Sequence, residues 1–247
     1  MRYLLAVALV GLVLSGCDSN SNDANDLPRT FTVTVSDVSM DATITSSRAN
    51  GTVPLSPPVY AVYMGSNPMF TVGAMANDAT ELIAEDGVPD LMAARLTADP
   101  NVSVSGVLTS PGGPDSGPAF FSGESASFTF VAEPGDRLQF ETMFVQSNDW
   151  FYAFADEGLD LWDGDNPVDG DITSRLVLYD AGTEEDTAPG TGPTAPPGGV
   201  QKPVQDPAAT DVGDAETVNI TPAADRHSFT IPAATDVIQV TISSEAM

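Results

Sequence analysis

The segment RTFTVTVSDV, residues 29–38, alternates without a break: Phe31, Val33 and Val35 fall on one side of an extended chain and threonines stand between them. A period of two predicts a strand with one face buried and the other wet. Such a strand is stable only against a second layer, so the rest of the chain must supply more strands and a shared core.

Several other segments qualify. VYAVYM, residues 59–64, is entered through Pro57 and Pro58, which suit the start of a strand and not its centre. In SASFTFVAEPGDRLQFETMFV, Phe128 and Phe130 lead into a turn at Pro134 and Gly135, and Leu138, Phe140, Met143 and Phe144 lie on the return. That pattern predicts a hairpin. Strands are also expected over 174–180 and 236–243. Between them, Asp78 with Glu81 has the form of a capping box before Leu82 and Ile83, with a stop at Gly87. A second short helix is expected from Pro89 through Leu91, Met92 and Leu96 to Pro100, and the pair is expected to cover an edge or end of the sheets. The expectation is a mainly β fold, an antiparallel β-sandwich with one or two short helices in a connection. With 247 residues and 42% hydrophobic content, the chain can fill one domain core, spanning residues 29–247. Two Pro/Gly-rich stretches, 110–118 and 186–214, read as loops.

The first residues carry an address. MRYLLAVALVGLVLSGC has one cation, Arg2, an apolar run from Leu4 to Leu14, and small residues before the chain's one cysteine. The run falls short of the about 20 residues that span a bilayer and has the flanks of a secretion signal. LSGC resembles the lipobox of bacterial lipoproteins, which implies cleavage of residues 1–16 and lipid attachment at Cys17. An ordinary signal peptide is the alternative. Residues 17–28, polar and rich in Asn, Asp and Ser, read as a flexible tether. The expected location is the bacterial cell envelope, with the lipid anchor as the contact to membrane.

The chain has 35 acids against 8 bases and a formal net charge of −27. A surface of that sign repels nucleic acid and anionic lipid, so neither is an expected partner. It suits solubility in salt, and it suits cations.

Catalytic groups are scarce. The only histidine, His227, has no GxSxG elbow to serve, and a catalytic zinc would ordinarily draw on more His or Cys than the chain holds. Paired carboxylates among Asp149, Asp156 and Glu157, beside aromatic residues, could act as a glycosidase acid and base, which keeps a carboxylate-dependent glycan hydrolase as the enzyme alternative. Oxygen-rich loops favour a hard cation instead. DGDNPVDGD, residues 163–171, departs from the EF-hand spacing, with Pro167 and Val168 at key positions, and reads as a solvated turn. A second candidate is dispersed: Asp149 at one strand end, Asp180 at another, and Glu184 four residues beyond.

FVQSNDWFYAF, LDLWDGD and LVLYDAGTE, preceded by VPLSPPVYAVY and LIAEDG, follow the order and spacing of the spondin N-terminal (F-spondin) domain, and the resemblance runs from about Arg29 to Ser243. It implies a C2-like antiparallel β-sandwich that holds calcium through Asp149, Asp180 and Glu184. The disulfide cysteines of the animal domains are absent here. The resulting expectation is a non-enzymatic, calcium-binding adhesion or ligand-binding module with an extracellular protein or glycan partner. The alternative binding mode is a carbohydrate stacked on Trp150, Tyr152 and Trp162.

Overall fold

The computed structural model describes residues 28–111, 119–191 and 216–247. Cys17, residues 1–16 and all of the tether but Pro28 lie outside these, as do most of the two Pro/Gly-rich stretches, 110–118 and 186–214. Among the described residues no helix is long and apolar enough to cross a membrane.

The strands are β1 (Arg29–Asp37), β2 (Val59–Tyr63), β3 (Val102–Val107), β4 (Ser125–Ala132), β5 (Arg137–Met143), β6 (Trp150–Phe154), β7 (Leu159–Asp160), β8 (Trp162–Asp163), β9 (Asn166–Pro167), β10 (Gly170–Asp171), β11 (Leu176–Asp180), β12 (Thr221–Pro222) and β13 (Ile238–Ala246). Among the described residues three short α-helices accompany them: α1 (Asp78–Asp86), α2 (Asp90–Ala98) and α3 (Ala223–Arg226). One sheet has the order β10-β13-β1-β4 and the other β12-β11-β6-β5-β2-β3, with β7 also on β5; β8 and β9 form a separate ribbon. Every pairing between these strands is antiparallel. The expected mainly β, antiparallel sandwich is what forms.

The alternation of β1 decides the inner layer. Phe31, Val33 and Val35 point inward with Phe128 and Phe130 of β4 and Val240 and Ile242 of β13, and they meet Leu138, Phe140, Trp150, Tyr152 and Phe154 of the larger sheet. The threonines of β1 stay on the outer face, where Thr34 and Ser127 hydroxyls bond at 2.7 Å.

The predicted hairpin at Pro134–Gly135 is not one. β4 pairs with β1 in the smaller sheet, while β5 pairs with β2, β6 and β7 in the larger. The turn carries the chain from one sheet to the other, with Gly135 at φ 101 and Asp136 Oδ2 accepting from Glu133 N at 2.8 Å. The aromatic positions explain this: Phe128 and Phe130 reach the core from one side, and Leu138 and Phe140 reach it from the other. A hairpin would have put all four on one face of a single sheet.

The helices also differ from expectation in place. They cover the outer face of the larger sheet, where Ile83, Ala84, Met92 and Leu96 pack on Val59, Ala61, Phe151 and Ala153. The larger sheet is therefore buried on both faces, which accounts for the unbroken apolar run WFYAF in β6. The N-cap of α1 is Asn77 rather than Asp78: its side chain accepts from Ala79 N and Thr80 N, and Gly87 closes the helix in the left-handed conformation.

Candidate metal centre

β6 and β11 run antiparallel with Trp150 opposite Asp180, so Asp149, one residue before β6, and Asp180, the last residue of β11, lie at the same end of the larger sheet. Asp149 begins a strand rather than ending one. A tight turn sets its direction: Ser147 Oγ donates to Phe144 O at 2.6 Å and accepts from Trp150 N at 3.0 Å. Beyond it the side chains split, with Trp150 entering the core between the sheets and Phe151 the core under the helices. The two rings anchor both faces of the strand, and the carboxylate is held at its mouth.

The chain then folds back over this end. Asp180 Oδ1 accepts from Gly182 N at 2.7 Å, a turn that needs Gly182 at φ 72, where a Cβ would run into the carbonyl of Val218. The reversal delivers Thr183 N, Thr183 Oγ1 and Glu184 N to Asp149 Oδ2 at 2.7, 3.1 and 3.1 Å. Asn148 holds the next stretch, donating to Glu185 O at 2.8 Å and accepting from Thr187 Oγ1 at 3.2 Å.

A second segment approaches from α3. Arg226 Nη1 donates to Asp180 Oδ1 at 2.7 Å, and His227 Nε2 lies 2.7 Å from Asp180 Oδ2 and 2.6 Å from Asp186 Oδ2. The imidazole stacks on Phe229 with centroids 5.2 Å apart and on Trp150 at 5.6 Å, which aims Nε2 at the carboxylates. Asp180, Asp186 and His227 each offer a ligand atom within 4.8 Å of the others.

The acids are held where charge is costly. Asp149 and Asp180 side chains have no exposed surface and that of Asp186 has 1%. Burial, then the Asp180 carboxylate, pushes the Asp149 carboxyl far above its usual range, against the pull of three hydrogen bonds from Thr183 and Glu184. Burial, then Asp149 and Asp180, does the same to Asp186; the Trp150 indole opposes it, facing that carboxylate without closing a hydrogen bond. Asp149 Oδ1 and Asp186 Oδ1 are buried with no hydrogen-bond partner. Three buried carboxylates this close together, two of them raised by burial and by their neighbours and with oxygens left unsatisfied, form a negative cage.

Of the residues expected from sequence, Asp180 is in this group, and Asp149 stands beside it, near enough for the Asp180 carboxylate to raise its carboxyl but outside the three gathered ligand atoms. Glu184 contributes its main-chain N–H, while its carboxylate instead helps raise Glu85, whose carboxyl burial chiefly pushes up to about 8. Asp186 and His227 join the cluster without having been expected as ligands. The one clue in the sequence was that an acidic chain carries a single His immediately after an Arg.

The alternatives fare differently. Trp150 and Tyr152 are fully buried, and Trp162 is 9% exposed with its ring edge-on to Phe31, so these rings pack the core rather than offering faces to a sugar. Asp156 lies beyond the opposite end of β6 from Asp149, with its Oδ1 accepting from Val72 N at 2.8 Å. Seven residues of largely extended chain is about 20 Å, well beyond the about 5–9.5 Å of glycosidase carboxylate pairs. Asp149 therefore cannot pair with Asp156 or Glu157.

No model of a known protein family matches the chain, and no curated protein matches it.

Proposed function

We propose that this chain is a non-enzymatic, exported binding module whose strand-end loops are tied together by a divalent cation held by Asp180, Asp186 and His227, with the Asp149 carboxylate beside them. The observation that carries this reading is the buried cage, with Asp149 Oδ1 and Asp186 Oδ1 unpartnered and aspartates destabilising one another. A dication converts that mutual repulsion into attraction. It would join the ends of β6 and β11, the turn through Gly182 and the segment after α3, bracing one end of the sandwich for contact with a protein or glycan ligand. The resemblance to the spondin N-terminal domain supports the same end of the fold and two of its positions, Asp149 and Asp180, and implies calcium as the ion.

Dication binding confined to the folded state adds RT ln(1 + [L]/Kd), about 2.7 kcal/mol at a hundredfold excess over Kd. Melting temperatures of the chelated protein with added calcium or zinc, at fixed ionic strength, test this. Wild type should rise with at least one ion, while Asp149→Asn and Asp186→Asn should lose most of that gain. In chelator both variants should be at least as stable as wild type, because each removes a charge that burial disfavours. Equal shifts in all three proteins would mean general screening and no site.

The lipobox resemblance supports display on an envelope membrane through Cys17. Cys17→Ser should leave the membrane fraction or accumulate as an uncleaved precursor; a mature-sized mutant that still fractionates with membranes would refute the anchor.

A further inference from the structure

We infer that this centre is built for a first-row transition dication of the zinc, cobalt or manganese type rather than calcium, with His227 Nε2 as its nitrogen ligand. The inference rests on the proposed cation site and assigns it a metal class.

Calcium takes six to eight oxygen donors at about 2.3–2.6 Å and favours bidentate carboxylates. The aspartates here are not free to serve that way. Asp180 Oδ1 is engaged by Gly182 N and Arg226 Nη1, and Asp149 Oδ2 by Thr183 and Glu184. Asp180 therefore presents one oxygen, Oδ2, to the group it forms with Asp186 and His227, and the unpartnered Asp149 Oδ1 lies outside that group. Asp186 adds its carboxylate, and Glu184, which a calcium site on the spondin pattern would use, is not among the ligand atoms gathered at His227. What remains is an imidazole nitrogen and a few monodentate oxygens, a mixed set that suits borderline metals of low coordination number.

The spacing agrees. Donors about 2.1 Å from a metal in tetrahedral or octahedral array lie roughly 3.0–3.4 Å apart. His227 Nε2 stands 2.7 and 2.6 Å from its two carboxylate oxygens, so a small ion needs only a slight opening of the cage and calcium a larger one. The nitrogen faces two carboxylate oxygens at once, where a metal ion can replace a bifurcated N–H. The imidazole is also held in place as a ligand should be: stacking on Trp150 and Phe229 fixes its plane, and the main-chain N–H of His227 donates to Ala223 O at 3.0 Å.

Because His227 is the only histidine, its ring gives a single set of imidazole resonances. The test tracks the ring nitrogen shifts and the melting temperature of the chelated, purified chain while zinc, and separately calcium, is added, with cobalt absorption as a third measurement. Zinc should shift Nε2 far more than Nδ1 and bind at least tenfold tighter than calcium; cobalt should give visible bands of mixed nitrogen and oxygen coordination. His227→Gln should weaken zinc by at least the roughly 10–100-fold that loss of an outer-shell partner costs, with calcium little changed. If calcium raises the melting temperature and zinc leaves Nε2 where it was, the assignment to a transition metal is overturned and the cation site stands. If neither ion moves either measurement, both are overturned.

Discussion

At pH 9 the Glu141→Gln variant should be more stable than wild type, and the advantage should vanish near pH 5. Glu141 sits on β5 beneath α1 with no exposed surface; Thr80 Oγ1 donates to its Oε1 at 3.3 Å, and Oε2 has no partner. Burial pushes its carboxyl from 4.5 up to about 8, and the Thr80 bond offsets little of that. A carboxyl whose folded pKa is raised stabilises the fold fully below its unfolded value and loses that contribution as pH rises through the folded one. The window is therefore about pH 5 to 8, and the slope per proton is about 1.4 kcal/mol per pH unit. Glutamine keeps an acceptor for Thr80 and cannot ionise. Urea unfolding in chelator from pH 5 to 9 should show the two proteins diverging by up to about 3–4 kcal/mol, an upper estimate because the interior relaxes around a new charge. Parallel curves would mean that Glu141 is ionised throughout at little cost. Asp37 and Glu85, raised chiefly by burial to about 7 and 8, act in the same direction, so the variant should flatten the wild-type pH profile without abolishing its slope.

The strands were legible wherever burial differs between their faces. β1 alternates because one face meets the core and the other meets water, and that pattern survives in any local reading. β6 carries no such code, since Trp150 and Phe151 enter different cores, and its place at the centre of a three-layer stack is a tertiary fact. The sheet switch at Pro134–Gly135 was illegible for another reason. Pro-Gly turns serve hairpins and crossings alike, and only the partners of β4 and β5 tell them apart. In the centre, Asp149 and Asp180 were legible because antiparallel pairing puts their strand ends together. What the sequence does not show of Glu184 is its main chain: Gly182 reverses the loop and turns the Glu184 N–H toward Asp149. His227 lies 47 residues from Asp180 and reaches it through the packing of α3 on β11, for which no local pattern exists.

Arg226→Met should destabilise the cation-free protein and strengthen its grip on a dication. Arg226 is the one base in contact with the cage among the described residues, His227 aside: its Nη1 bonds Asp180 Oδ1 at 2.7 Å, stands 3.7 Å from Glu216 Oε2, and its Nη2 donates to Asn219 O. With Asp180 fully buried and Arg226 19% exposed, removing the guanidinium leaves a buried carboxylate without its counter-charge, which costs about 3–5 kcal/mol. The same guanidinium repels an incoming dication and occupies an oxygen that could bind it. Without it, Asp180 Oδ1 keeps only the Gly182 N–H and no counter-charge competes for the carboxylate, and a saturating dication should recover most of the lost stability. Melting curves in chelator and in excess metal, with calorimetric titration, measure both halves. Arg226→Met with Asp180→Asn separates this from general damage near α3: the double variant should be more stable in chelator than the sum of the single effects predicts, since the unpaired charge is gone. If the losses simply add, and the metal affinity of Arg226→Met is no higher than that of wild type, then Arg226 packs against the site without balancing it.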